Sequence, residues 1–282
     1  MKALSFGEIL FDVYPDEAHI GGAPLNFAAH LAKLGENVFM LSAIGRDDLG
    51  EKAMERLDEW NIDTCYLSKN DKDTGKCLVT LDEKGVPKYN LLGEVAYDFI
   101  DTKEVAENFD ILYFGTLSLR GEYNKKSLSS LIERQKFDDI FVDVNIRAPF
   151  YSADTVDFAL RHATVLKVSL EELETVGKLA MLDFSSARSF VRNAAEKFQN
   201  IRLVIITLGA DGAYAFEKET GKSAFSPAVE AKVVSTVGAG DSFSAAFLHS
   251  YKKGDSLKAA LDFASEIAAK VVSKKEAVPD EL

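Results

Sequence analysis

Cysteine is nearly absent from this chain: Cys65 and Cys77 are the two in 282 residues. They are too few for a disulfide framework and lack the spacing of a metal site, so both read as free thiols. Long apolar runs are missing too. No stretch approaches the roughly 20 residues needed to cross a bilayer. The apolar start Met1–Leu10 meets Asp12, Asp16 and Glu17 where a signal peptide would need small residues. A soluble, cytoplasmic protein with no membrane partner is expected. Positive charge is in deficit, with 33 Lys and Arg against 45 Asp and Glu, and nucleic acid would bind against a repulsive mean field. Lys125-Lys126, Lys252-Lys253 and Lys274-Lys275 are isolated pairs that read as solvated helix surface. No Gly-x-x-x-x-Gly-Lys-[Ser/Thr] or Gly-x-Gly-x-x-Gly segment occurs, which excludes a Walker-type phosphate loop and the dinucleotide fingerprint. His19, His30, His162 and His249 lack zinc-hydrolase spacing. His30 is expected on a helix face and His249 on a helix surface.

What is present is an alternation. Apolar runs of strand length recur at Ala3–Ile9, Val38–Ile44, Ile111–Phe114, Ile140–Val144, Thr164–Val168 and Leu203–Leu208, as buried parallel strands require. Between them lie helical stripes. Pro24 opens one, with Leu25, Ala28, Leu31 and Leu34 on a single face and Gly35 as the stop. Phe190, Val191, Ala194, Ala195 and Phe198 make a second stripe, and Phe243, Ala246, Phe247, Ser250 and Tyr251 a third. The pattern predicts a three-layer α/β/α fold with a mostly parallel central sheet. One stretch departs from it. Lys76–Leu81 and Lys88–Leu92 read as two strands joined by Asp82-Glu83-Lys84-Gly85. A hairpin has no crossover helix, so it either forms a small flap with residues near Phe11–Gly22 or adds an antiparallel edge to the main sheet.

The segment Ser235-Thr236-Val237-Gly238-Ala239-Gly240-Asp241-Ser242-Phe243 runs small residues straight into a helix of clear apolar period. Bare N–H groups at such a terminus suit an anion, and Gly238, Ala239 and Gly240 let the backbone close on it. A carboxylate in the same turn would repel a phosphate that was merely bound. Asp241 makes sense as a general base that takes a proton from an attacking hydroxyl while the N–H groups stabilise a transferring phosphoryl group. The plainer alternative is a tight turn in which Asp241 only complements the helix terminus.

This segment resembles the signature Asp-Thr-x-Gly-Ala-Gly-Asp-x-Phe of ribokinase-like (phosphofructokinase B type) sugar kinases, and departs from it only at Ser235, where the family usually has aspartate. The likeness covers nearly the whole chain. Gly21-Gly22-Ala23-Pro24-Leu25-Asn26-Phe27-Ala28 is similar to the family's sugar-binding signature, and Asp12 to its hydroxyl-binding carboxylate. Asp143-Val144-Asn145-Ile146-Arg147 and Gly115-Thr116-Leu117-Ser118-Leu119-Arg120 are similar to fructokinase-type segments. Lys167-Val168-Ser169-Leu170-Glu171-Glu172 resembles the strand-end Asn-x-x-Glu, with Ser169 at the Asn position, and equally reads as a capping box. Thr207-Leu208-Gly209-Ala210-Asp211-Gly212 resembles the nucleotide loop, or a tight turn into a hairpin.

The resemblance implies one kinase domain over residues 1–282, with a β lid formed by about 11–22 and 75–100. It implies transfer of the γ-phosphoryl group of ATP to a hydroxymethyl group, with fructose as the best match. 2-Keto-3-deoxygluconate, another ketose or ribose are alternatives, and a catalytically idle sugar-binding regulator is an alternative of another class. Implied catalytic residues are Asp241, Gly238, Ala239, Gly240 and Arg147. The sugar would meet Asp12, Gly21, Gly22, Asn26, Tyr89, Arg120, Asn145 and Asp241. ATP would meet Lys167, Thr207, Gly209, Gly212, Thr236, Gly238 and Gly240, with Ala264 and Ala268 flooring the adenine pocket, and Mg2+ would meet Glu172 through water. A monovalent cation is doubtful, because Ser235 offers a neutral hydroxyl where the family has a charge. A homodimer paired through the lid is expected.

Overall fold

A computed structural model describes residues 1–81 and 87–281. The expected alternation forms the main sheet. Its strands are β1 (Lys2–Phe6), β4 (Asn37–Gly45), β5 (Leu67–Asn70), β8 (Phe109–Phe114), β9 (Phe137–Asp143), β10 (Val165–Ser169), β11 (Leu203–Thr207), β12 (Ala213–Glu217) and β13 (Ser223–Ser226). They lie in the order β13-β12-β11-β10-β9-β8-β1-β4-β5. From β11 to β5 every pairing is parallel, and β12 and β13 extend one edge antiparallel.

Alternate residues of each strand feed two cores. Leu112, Phe114, Ile140, Val142, Leu166, Val204 and Ile206 face one side. There they meet α3 (Glu122–Arg134), α4 (Ala153–His162), α5 (Leu170–Ala180) and α6 (Ala187–Lys197). Ile111, Tyr113, Phe141, Val165, Leu203 and Ile205 face the other side, against α1 (Ala23–Lys33), α2 (Asp48–Glu59), α7 (Ala239–Lys252) and α8 (Leu257–Val272). The three-layer expectation holds because period-2 strands apolar on both faces can be covered only by helices on both sides.

The hairpin expectation resolves as a separate sheet. β2 (Leu10–Val13), β3 (Ala18–Gly21), β6 (Gly75–Leu81) and β7 (Pro87–Leu91) lie in the order β3-β2-β6-β7. β6 and β7 pair antiparallel, with Cys77 opposite Leu91 and Val79 opposite Tyr89, and β2 lies parallel to β6, with Asp12 opposite Cys77. The expected turn Asp82–Gly85 lies outside the described residues. The expected Ala3–Ile9 run is shorter as a strand than as an apolar pattern. β1 ends at Phe6, Gly7 takes φ 149°, and the chain turns into β2.

Two histidines are more deeply placed than their helical positions suggested. His30 is fully buried, with Nε2 2.8 Å from the Ala277 carbonyl. His249 corrects the surface expectation. It is buried, with Nδ1 2.7 Å from Glu36 Oε1, and the other Glu36 oxygen takes the Met1 ammonium. The reason is that α7 packs between α1 and α8, so little of its circumference reaches water.

Helix α1 is held by aromatic packing. Phe27 is fully buried and stacks on Tyr113 at 3.8 Å between centroids, with Phe141 at 6.1 Å. Replacing it removes this stacking between α1 and the centre of the sheet. Phe27→Ala is expected to cost roughly 3–5 kcal/mol, as large-to-small core changes at aromatic positions do, measured by denaturant unfolding.

Candidate functional site

The strand order reverses at β1: the chain leaves it for β4 on one side and returns through β8 on the other. Carboxyl ends of parallel strands open a crevice at such a switch point. Residues pointing from those ends toward the α1/α7 face are Lys167 and Asp143, in register with one another on β10 and β9. They form a buried ion pair, Nζ to Oδ2 2.7 Å. The same carboxylate oxygen accepts from Ser244 Oγ of α7 at 3.2 Å and lies 3.5 Å from the Tyr113 hydroxyl of β8. Burial alone would lower the Lys167 ammonium, but the Asp143 charge outweighs it and holds the pKa above the ordinary lysine value.

Asp241 lies in the first turn of α7, 8% exposed. One oxygen accepts from Asn26 Nδ2 at 2.8 Å, which ties α7 to the first turn of α1. Burial and the nearby Asp143 charge raise its pKa to about 6, against the opposing pull of the Asn26 hydrogen bond, Lys167 and Arg147. A carboxyl so placed changes protonation close to neutral pH, where a general base works best.

The turn before Asp241 has the conformation that small residues allow. Gly238 caps α7 with φ 79°, and a Cβ there would stand 2.4 Å from the Ala277 carbonyl. Among the described residues the N–H groups of Gly240 and Asp241 donate to no protein acceptor. A Cβ on Gly240 would stand 3.4 Å from Lys167 Nζ, so the ammonium lies beneath the open N–H groups. Two sources of positive potential thus face the same point. Ser235 Oγ accepts from the Val237 N–H at 3.2 Å, and Thr236 is exposed.

On the acceptor side, Gly22 caps α1 with φ 118°, and a Cβ there would meet the Glu8 carbonyl at 2.4 Å. Gly21 is buried at the end of β3. Asp12 is half-buried in the small sheet beside Cys77, and burial lifts its pKa above the usual carboxylate value. Tyr89 shares that sheet face but is 61% exposed. Asn145 takes φ 45° after β9, and the exposed Arg147 exerts its charge on Asp241, Glu8 and Asp12.

Arg120 is differently occupied from a free sugar ligand. Its Nε and Nη2 each donate to Asp98 at 2.7 Å, Nη2 also to the Leu92 carbonyl, and the guanidinium lies 4.9 Å from both the Tyr97 and Phe150 rings. Among the described residues only its Nη1 has no partner. A cavity of about 480 Å³ lies beyond it, lined in part by Phe99, Tyr123, Phe150 and Tyr151, away from Asp241.

Toward the other end of the crevice, Glu172 accepts from the Ser169 and Ile146 N–H groups at 2.8 and 2.5 Å, the first completing the capping box of α5. Burial raises its pKa above the glutamate norm. Thr207 ends β11, and Gly209 to Gly212 turn tightly into β12, with the Leu208 N–H donating to the Gly212 carbonyl at 2.7 Å. Ala264 corrects the expected adenine floor. It is fully buried by core neighbours, so of the two alanines only the half-buried Ala268 has surface to offer.

Sequence reasoning passed over Glu8 and Asp98, both buried at the crevice. Glu8 had a visible signal, a lone carboxylate inside the apolar run Ala3–Ile9. Asp98 had none.

The model of the pfkB family carbohydrate kinase matches residues 6–281. The chain belongs to this family. An uncharacterized sugar kinase of Pyrococcus horikoshii is 28% identical over 252 residues, 85% of this chain and 75% of that protein. Its crystal structure in complex with ATP superposes with a TM-score of 0.80, at 25% identity, covering 99% of this chain and 94% of the other. Fructokinase-2 of Zea mays is 26% identical, covering 98% of this chain and 90% of its own. Fructokinase from Vibrio cholerae O395, with fructose, ADP and calcium ion bound, shares the fold at a TM-score of 0.84 and 23% identity, covering 98% and 94%. The protein is a sugar kinase of ribokinase-like fold.

The raised pKa of Asp241 has a stability consequence. Its ordinary value is 3.8 and its folded value about 6. Between those values the folded chain therefore holds more proton, and stability declines as pH rises through the window. Asp241→Asn removes the buried charge. It is expected to be more stable than the unmodified protein at pH 8, by up to about 3 kcal/mol, with the gap closing toward pH 4, read by thermal unfolding across pH.

Proposed function

We propose that the chain transfers the γ-phosphoryl group of ATP to a hydroxymethyl group of a small neutral ketose, with fructose the first candidate. The observation that carries this reading is Asp241 itself. It is a buried carboxyl poised near neutral pH, fixed by Asn26, in the same turn as the open N–H groups of Gly240 and Asp241 beside the Lys167 ammonium. Fructose is favoured by the Gly21–Ala28 and Asp143–Arg147 segments and by the fructokinases among the relatives. An ATP-dependent 6-phosphofructokinase and 5-dehydro-2-deoxygluconokinases are also relatives, so other acceptors form the alternative reading.

In this scheme the acceptor hydroxyl lies against Asp241, which takes its proton as the oxygen attacks the γ-phosphorus. Charge spread over the transferring group meets the N–H groups of Gly240 and Asp241, with Arg147 near its path. Lys167 supplies field rather than a mobile contact, because Asp143 holds its ammonium. Asp12, Gly22, Asn26 and Asn145 border the sugar. Thr207, Gly209, Gly212, Thr236 and Ala268 border the nucleotide.

Magnesium would come with the nucleotide. Both Glu172 oxygens already accept backbone N–H groups, which leaves them free lone pairs for water but fits poorly with direct ligation. Contact through a water suits an ion that keeps its hydration. The small sheet of β2, β3, β6 and β7 would close over the sugar as a lid.

ADP release measured over a panel of sugars tests the reaction, and fructose should give the highest kcat/KM. Asp241→Asn should lower kcat by roughly 10²–10⁴-fold. In the unmodified enzyme kcat/KM should fall about tenfold per pH unit below pH 6, as Asp241 takes up its proton. A variant with near-normal turnover would refute the base. No ADP release with any sugar would favour an idle sugar-binding protein. The lid makes its own prediction: saturating sugar should slow hydrogen exchange in β6 and β7, and unchanged exchange would leave the sheet a static edge.

A further inference from the structure

Glu8 follows β1 at the switch point and is 3% exposed, yet its Oε2 has no hydrogen-bond partner. Buried carboxyl oxygens are seldom left so, and each exception calls for a reason. Glu8 is not alone. Eight buried side-chain polar atoms lack partners among the described residues, and four others of them surround this turn: Asn26 Oδ1, Tyr97 Oη, Ser118 Oγ and Arg120 Nη1.

Their placement follows from the backbone. A Cβ on Gly22 would stand 3.2 Å from Glu8 Cγ, and one on Gly7 would stand 3.3 Å from Ser118 Oγ. A Cβ on Gly75, opposite Leu10 in the small sheet, would stand 2.6 Å from the Tyr97 ring, on which Arg120 stacks. Asn26 reaches from the same side to Asp241. Hydroxyl, amide, carboxyl and guanidinium groups thus gather with both donors and acceptors unspent, as a polyol requires. Arg120 brings little net charge, since Asp98 neutralises it through two hydrogen bonds.

We propose that Glu8 is a specificity-determining contact of the acceptor site, hydrogen-bonded to a hydroxyl of a neutral sugar that also meets Asn26. The inference rests on the kinase reading of the Asp241 crevice. The charge environment agrees with it. Burial raises the Glu8 pKa to about 7, the backbone N–H groups of Glu8 and Ala23 and the Arg147 charge oppose the rise, and Asp241 adds to it. Tyr97, Tyr113 and Arg120 are also close enough to interact with Glu8. A protonated Glu8 both donates and accepts. A carboxylate or phosphate group on the substrate would instead face two acids, Glu8 and Asp241, and be turned away.

The test uses the neutral sugar that the unmodified enzyme phosphorylates best. Whether that sugar is fructose decides the earlier reading and does not enter the comparison. KM for sugar and for ATP is measured from pH 5.5 to 9 for the unmodified enzyme, Glu8→Gln and Glu8→Met. Glu8→Met, of similar volume with no hydrogen-bonding carboxyl, should raise the sugar KM about tenfold or more, as unpaired polar groups in a binding site do, with the ATP KM unchanged. In the unmodified enzyme kcat/KM for sugar should decline above pH 7 as Glu8 ionises. Glu8→Gln, which keeps one donor and one acceptor, should lose that decline and weaken sugar binding less than Glu8→Met. An unchanged sugar KM in Glu8→Met, or superimposable pH profiles for the unmodified enzyme and Glu8→Gln, would overturn the proposal. The glutamine profile alone decides it where the methionine variant does not fold.

Discussion

The buried pair of Lys167 and Asp143 is the interaction on which the rest of the site depends. It joins neighbouring strands at their carboxyl ends, and Asp143 also binds Ser244 of α7 and lies within reach of Tyr113 of β8. Two charges taken out of water cost several kcal/mol each, and the pair recovers this only when the remaining lone pairs are satisfied. Asp143 meets that condition on one oxygen through three partners. Losing either member would leave its partner charged and buried, which is far worse than losing both. The pair therefore constrains α7 to sit where Ser244 meets the sheet, and Asp241 lies one turn earlier on the same helix.

The same pair adjusts the basicity of Asp241, whose proton affinity is raised first by burial. Asp143 pushes its proton affinity up and Lys167 pulls it down. The balance leaves a carboxyl that is ionised at pH 7 but still basic enough to accept a hydroxyl proton in the transition state. Lys167 also stands beneath the N–H groups of the α7 terminus, so one ammonium serves both the base and the anion hole.

Much of this was legible in the sequence, for a reason that also marks the limit. Buried parallel strands, helix stripes and the small-residue turn before Asp241 are local patterns, each decided by neighbours a few residues away. So the central parallel strands, the α1 start at Pro24 and the α7 terminus stand close to where their patterns put them. What could not be read depends on contacts across long separations. That Asp98 holds Arg120 through two hydrogen bonds is one such contact. His249 looked exposed until Glu36, more than two hundred residues away, met it under the packing of α1 and α7. Ala264 shares a helix face with Ala268, but the depth that separates them belongs to tertiary packing. Glu8 lies between these cases. A charge inside an apolar run is a local signal that something must receive it, although the receiver was not visible.

A site that holds a polyanion next to its own base faces an electrostatic conflict, and the distribution of acids in the crevice shows how this fold manages it. Glu8, Asp143, Glu172 and Asp241 are all buried or nearly so around one cleft, against the cations Lys167 and Arg147. Were all four acids simply ionised, the cleft would repel a nucleotide. Each is handled differently. Asp143 is paired with Lys167, Glu172 is held by two backbone N–H groups, and burial lets Glu8 and Asp241 take up protons near neutral pH. Desolvation thus does two things with one expenditure of folding stability. It lets Glu8 keep its proton up to about pH 7, which lowers the negative charge that an incoming phosphate meets, and it leaves Asp241, ionised at pH 7, basic enough to take the hydroxyl proton at the moment of transfer.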